Sequence, residues 1–202
     1  TMFSGRVSSW NLRDRHMAGT LDALVAHFDK QIGGGTKVVV WEHNSHLGDA
    51  RATSMGEQGE LNVGQIVREQ YQRDAVLIGF STYTGTVTAA PDWDEPHERK
   101  RVRPSLRGSY ELLFHETGLP NFVLPLRDKS QLAKALRGPR LERAIGVIYL
   151  PQSERISYYF NARLPEQFDA IIHFDETSAV EPLDRTEQWE AGEPPETYPS
   201  AL

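Results

Sequence analysis

Apolar residues near the N-terminal end of the chain recur in two different rhythms. Met17, Leu21, Leu24, Val25 and Phe28 fall at i, i+4, i+7, i+8 and i+11. That spacing lays one apolar stripe along an α-helix and predicts a helix over about 12–29. Arg13 and Asp14 lie four and three residues before Met17, so both charges are expected to project towards the stripe. After Gly33-Gly34-Gly35 the rhythm changes to the continuous run Val38-Val39-Val40-Trp41. An unbroken β-branched run predicts a strand covered on both faces, as in parallel sheets. Glu42-His43-Asn44-Ser45-His46 follows it directly.

Further along, Asn62 is expected to cap a helix through about Tyr71. Ala75–Ser81 reads as a strand, with Gly85–Ala89 pairing to it as a hairpin. The charged, proline-containing segment Pro91–Arg107 reads as a surface loop. Helices are predicted over 109–117 and, capped by Ser130, over 130–136. Strands are predicted over 121–125, 144–149 and 170–174. Alternating helices and apolar strands give an α/β fold with a parallel or mixed sheet flanked by helices. Residues 1–183 are read as one domain. The polar stretch 184–202, with Pro194, Pro195 and Pro199, is read as a loosely packed tail.

Composition narrows the chemistry. The 202 residues carry a net charge of −6, which disfavours unspecific binding to nucleic acid. The absence of cysteine excludes disulfides, thiolate zinc sites and a cysteine nucleophile. It fits the expected cytoplasmic location, and no stretch approaches the roughly 20 apolar residues of a membrane helix. The first residue is Thr1, so the chain is expected to be a piece of a longer one.

The residues that stand out chemically are His43 and His46, at the expected carboxyl end of a strand, where α/β folds build their ligand sites. Two imidazoles three residues apart can act as a base, hold a water or polarise a carbonyl. Exposure on a loop is the alternative of equal weight. A metal is not expected, because His-x-x-His comes without a third ligand at a recognisable spacing. Arg13 can hold a carboxylate or carbonyl oxygen by paired donors, the alternative being an intrahelical or helix-end ion pair that supports the fold. His16 borders the same region. Gly79-Phe80-Ser81-Thr82-Tyr83 lacks the last glycine of a nucleophile elbow, which argues against a serine hydrolase. His97, His115 and His173 read as surface or strand-edge residues.

Taken together, Ser9-Trp10-Asn11-Leu12-Arg13-Asp14-Arg15-His16-Met17-Ala18, Val38-Val39-Val40-Trp41-Glu42-His43-Asn44-Ser45-His46, and Met55-Gly56 with Leu61-Asn62 resemble the erythromycin esterase family. Gly79-Phe80-Ser81 and Arg143-Ala144-Ile145-Gly146-Val147-Ile148-Tyr149 extend the match. The resemblance implies a hydrolase that opens macrolide lactones with an activated water, in a pocket at one end of an α/β sheet. On that analogy His43, His46 and Arg13 are catalytic, and Asp14, Asn44, Asn11 and His16 contact substrate, with no cofactor. The family's water-activating histidine, however, lies in a Gly-Glu-x-x-His-Gly block that this sequence does not contain. The chain is therefore expected to begin inside the domain, just before the Asn-x-Arg-Asp helix. Three functions follow as expectations: a hydrolase of carboxylic esters or lactones; a non-catalytic module that holds a small molecule, haem or metal; and an inactive fragment. Beyond a small-molecule ester or lactone, the expected partners are a second copy or the missing N-terminal half.

Overall fold

The computed structural model describes residues 6–127 and 131–192. Its contacts group the chain into two units. One is made of Thr1–Phe80, Val123–Arg140 and Phe160–Ile172, the other of Ser81–Phe122, Leu141–Tyr159 and His173–Leu202.

The first unit opens with helix α1 (Arg6–Ile32), longer at both ends than its apolar spacing predicts. Amides of Gly33 and Gly34 close it on the Asp29 carbonyl. The buried line along α1 is narrower than the expected stripe. Asp14 and Ala18 are buried and Met17, Leu21 and Val25 half-buried, whereas Leu24 and Phe28 are exposed. Arg13 is also exposed, because one residue turns a helix by about 100° and separates neighbouring side chains.

The run Val38–Trp41 is not the doubly covered strand expected of it. Among the described residues no strand pairs with 37–43, and Val39 and Trp41 are 89% and 81% exposed. Apolar β-branched side chains favour extended backbone, but a strand exists only where a neighbour completes its hydrogen-bond ladder. Next to this segment is an apolar cavity of about 580 Å³, lined by Leu21, Val25, Val40, Glu42, Val67 and Tyr71 among others.

Short helices α2 (Asn44–Leu47) and α3 (Ser54–Glu57) lead to α4 (Val63–Tyr71). The start of α4 is fixed as its sequence predicts: the Asn62 side chain accepts from the Gln65 amide at 2.9 Å. Gly64 allows this start to press against the end of α2, since a Cβ there would lie 2.1 Å from the Leu47 carbonyl oxygen. Buried Leu77, Ala162, Leu164, Phe168 and Ile171 supply the core of this unit. Each large apolar side chain so buried contributes about 1.5–3 kcal/mol.

Strand β1 runs unbroken over Ile78–Ala89, so the hairpin expected between 75–81 and 85–89 does not form. Its antiparallel partner is β2 (Glu98–Val102), inside the segment read as a loop, in the register Gly85↔Val102 to Ala89↔Glu98. Charge hides β2 from a hydropathy reading, yet Lys100 and Val102 alternate inward. Helix α5 (Tyr110–His115) starts at the Ser109 cap, strand β3 (Asn121–Pro125) has its expected bounds, and α6 covers Gln131–Ala135. The expected cap Ser130 lies outside the described residues, as do Pro194, Pro195 and Pro199.

Strand β4 (Arg140–Arg143) precedes the predicted strand at 144–149, where there is instead an isolated bridge between Ala90 and Ile148. The apolar character of that stretch reflects packing, with Tyr149 fully buried against Ala89 and Val102. After α7 (Glu154–Ser157), β5 (Tyr159–Ala162) pairs with β4. Helix α8 (Leu164–Gln167) precedes β6 (Ala170–Thr177).

The larger sheet has the order β2-β1-β6-β3. Leu77 accepts from the Asp169 amide, and Gly85, at φ +122°, faces Thr177, so β6 runs parallel to β1. A Cβ at position 85 would lie 2.0 Å from the Thr177 carbonyl oxygen. Leu126 and Asp175 donate to Asp169 and Pro120, which makes β3 antiparallel to β6. The sheet is mixed, and helices flank it. Part of the polar stretch expected as a tail forms α9 (Glu187–Ala191), where Trp189 is buried and its Nε1–H donates to Thr88 Oγ1 at 2.9 Å.

Candidate active site

The His43–His46 segment folds locally through its own side chains. His43 caps α2: its Nδ1 accepts from the Ser45 amide at 3.2 Å and lies 2.8 Å from the Ser45 hydroxyl. An Nδ1 that accepts leaves the proton of a neutral ring on Nε2, and the His43 side chain is exposed. Asn44 grips the backbone of a single residue, accepting from the Phe80 amide at 3.0 Å and donating to the Phe80 carbonyl at 2.6 Å. Asn62 donates to the carbonyls of Ser45, at 2.9 Å, and Gly48. The turn is thus held from both sides by side-chain amides.

His46 is the centre of the site. Its Nδ1 lies 2.8 Å from Asp14 Oδ1, and its Nε2 lies 3.4 Å from Arg13 Nη2. Trp10, one helical turn before Asp14 on α1, stacks on the imidazole with a centroid separation of 4.4 Å and an interplanar angle of 5°. The Arg13 guanidinium sits 4.8 Å from the centroid of the Trp10 ring. Asp14 is fully buried, and the same Oδ1 accepts from the Val63 amide at 3.2 Å, which ties the site to the first turn of α4. Its Oδ2 is buried without a hydrogen bond. Glu42 completes the electrostatic surroundings. Loss of hydration pushes its carboxyl above the usual range and Asp14 adds to this, while His46 and Arg13 pull the other way.

The structure therefore brings together Arg13, Asp14 and His46, with His43 one turn away on the same cap. The two asparagines expected as substrate contacts are backbone clamps here. Asn44 holds Phe80, and Asn11 accepts from the Leu61 amide at 2.7 Å and donates to the Gly59 carbonyl at 2.9 Å. His16 is exposed on α1, outside this set of contacts. Trp10 and Glu42 are additions that the sequence reading did not single out. The i, i+3 and i, i+4 spacing of Trp10 to Arg13 and Asp14 was the available signal for Trp10.

A second histidine cluster occupies the other unit. His173, expected at a surface or strand edge, is fully buried, with its Nδ1 2.9 Å from Ser81 Oγ and its ring against Phe114 and Phe122. Burial holds its pKa below the ordinary histidine value, against the opposing pull of Asp175. His115 stacks on Tyr83 at 3.7 Å and its Nδ1 lies 2.8 Å from Asp175. Ser81 sits within strand β1 and not on the sharp strand-to-helix turn that a nucleophilic serine of the elbow type requires. Among the described residues, no cluster of three histidine, aspartate or glutamate side chains is placed to hold a metal ion. No described helix is long and apolar enough to cross a membrane.

The sequence model of the erythromycin esterase family matches residues 1–177. The chain belongs to the erythromycin esterase family. Among solved structures, it superposes on a succinoglycan biosynthesis protein with a TM-score of 0.67 at 23% identity, covering 87% of this chain and 40% of that one. A protein from Bacillus cereus gives 0.57 at 23% identity over 69% and 33%. A variant of the erythromycin esterase EreC in its open conformation gives 0.59 at 18% identity over 87% and 39%. This family member thus spans less than half the length of those structures. At these identities the likeness is one of fold.

Proposed function

We propose that the chain carries part of the active site of a carboxylic-ester hydrolase, acting on ester or lactone bonds by histidine-assisted attack of water. The observation that carries this reading is the His46 ring itself. One nitrogen is tied to a buried carboxylate and the other lies 3.4 Å from an exposed guanidinium. In this reading the attacking water takes the place of the Arg13 guanidinium at His46 Nε2, whose single lone pair accepts from one donor at a time. The Arg13 guanidinium and the His43 Nε2–H donate to the substrate carbonyl oxygen, where negative charge grows as the tetrahedral intermediate forms. The oxygen of water bonds to the carbonyl carbon, its proton passes to His46, and the alcohol leaves with that proton, giving acid and alcohol. Membership of the esterase family and the fold shared with EreC support the reaction class.

One observation favours a second reading. Arg13 Nη2 lies 3.4 Å from His46 Nε2, on the one lone pair that the attacking water would use. With the guanidinium held there, the same groups would bind an ester without turning it over. Hydrolysis of an aryl ester and of a macrolide lactone by the purified chain, beside His46→Ala, separates the two. The hydrolase reading expects turnover that falls by roughly 100- to 10,000-fold in the variant. Saturable binding without turnover would replace it by the second reading.

A further inference from the structure

We infer that Asp14 is a positioning residue that locks His46 in the tautomer with its proton on Nδ1, so that Nε2 is presented as the acceptor. The catalytic consequence rests on the hydrolase reading; the lock itself rests on hydrogen-bond geometry alone. An ionised carboxylate only accepts and a guanidinium only donates. The Asp14 contact at Nδ1, 2.8 Å, therefore needs a proton on that nitrogen. The Arg13 contact at Nε2, 3.4 Å, needs a lone pair on the other. Both edges of the ring specify the same neutral tautomer, and Trp10, parallel to the ring within 5°, holds its plane.

The carboxylate is placed for this task. Asp14 is fully buried on α1, and the Val63 amide holds the same oxygen that faces His46. Burying a carboxylate with one oxygen left without a hydrogen bond is costly, and the His46 and Val63 contacts offset that cost. His43 is fixed in the opposite sense, because its Nδ1 accepts from the Ser45 amide and its proton lies on Nε2. The two histidines of one short cap thus present an acceptor and a donor, a division that neither spacing nor exposure reveals.

A purely structural Asp14, one that only caps α4 through Val63, would alter stability and leave the tautomer alone. Long-range proton–nitrogen correlation spectra of the histidine-labelled chain at alkaline pH, where imidazoles are neutral, read the tautomer directly. His46→Gln assigns the His46 signals. The expected spectrum has a protonated Nδ1 and a bare Nε2 for His46. Asp14→Asn, whose carbonyl can still accept, keeps this pattern, whereas Asp14→Ala, left with only the long Arg13 contact at Nε2, shifts towards the Nε2-protonated form. A wild-type His46 protonated on Nε2, or an Asp14→Ala chain with Nδ1 still protonated, would overturn the inference. Should Asp14→Ala fail to fold, the wild-type spectrum decides alone. In the hydrolysis assay, Asp14→Ala should lower kcat by roughly 10,000-fold with little change in KM, the scale on which losing the tautomer-holding aspartate acts in a Ser-His-Asp triad. A wild-type chain without turnover but with the expected tautomer would sink the hydrolase reading and leave the lock standing.

Discussion

Two clusters of charged and polar side chains look alike in composition and differ in what they can do. In one, Arg143 Nη1 donates to Glu154 at 2.9 Å and to the Arg103 carbonyl at 2.7 Å, and its Nη2 donates to the carbonyls of Thr82 and Tyr83 at 2.6 and 2.9 Å. The Arg143 amide donates to Glu111 at 2.8 Å, and the hydroxyls of Tyr149 and Tyr159 donate to Glu154. Both side chains of that ion pair are 2% exposed. In the other, Asp14 is as deeply buried, yet the His46 side chain keeps 17% of its surface open and Arg13 is exposed. The Arg143 network turns its donors inward on backbone and carboxylate. The His46 cluster uses its buried member to aim an accessible one. A buried charge alone does not mark a site; in the proposed hydrolase the buried carboxylate orients a ring that stays partly open to solvent.

The sharpest way to break this contrast is to remove Arg143. Arg143→Ala leaves the Glu154 carboxylate buried without its cation and should destabilise the chain by about 3–5 kcal/mol, measured by denaturant unfolding. A loss below 1 kcal/mol would mean that the network is wetter than it looks.

Smaller is the effect of Asn62→Ala. It removes the cap of α4 and the grip on Ser45 and Gly48, and should cost about 1–3 kcal/mol. Because the grip holds the histidine turn, ester turnover should fall with stability, whereas a pure cap would lower stability alone.

The smallest effect concerns pH. Burial raises the Glu111 carboxyl above its ordinary value of 4.5, against the opposing pull of the Arg143 amide and charge. Between 4.5 and the raised value the native state binds the proton and the unfolded state does not. Stability contributed by this group is therefore lost as pH rises through that window. Glu111→Gln should flatten the decline, seen as a smaller change in unfolding free energy with pH. An unchanged slope would show that Glu111 titrates as in the unfolded chain.

How far the sequence led depended on the range of the physics involved. Local signals held: Asn62 starts α4 by capping, α5 lies within the helix read over 109–117, and β3 has the bounds read from its apolar residues. Patterns that depend on a distant partner misled. Val38–Trp41 has the composition of a buried strand but pairs with none among the described residues, while the charged Glu98–Val102 is a strand because β1 supplies its ladder. Trp189 anchors α9 in a stretch that composition marks as a polar tail. At the site, helical spacing put both charges of α1 near the core, but only Asp14 is buried, and its partner lies 32 residues away. Nothing in the sequence marks that pairing, the stacking of Trp10 or the engagement of Asn11 and Asn44 with backbone.

The contrast between the two clusters is tested most directly by a double dissociation. His46→Ala and Arg143→Ala are measured side by side for ester turnover and for unfolding free energy. His46→Ala should lose turnover and, by leaving the buried Asp14 carboxylate without its imidazole partner, cost about 1–3 kcal/mol of unfolding free energy. Arg143→Ala should unfold far more readily, and whatever fraction remains folded at low temperature should keep its turnover per folded molecule. A His46→Ala chain that hydrolyses esters as fast as the parent, or that unfolds as readily as Arg143→Ala, would contradict it.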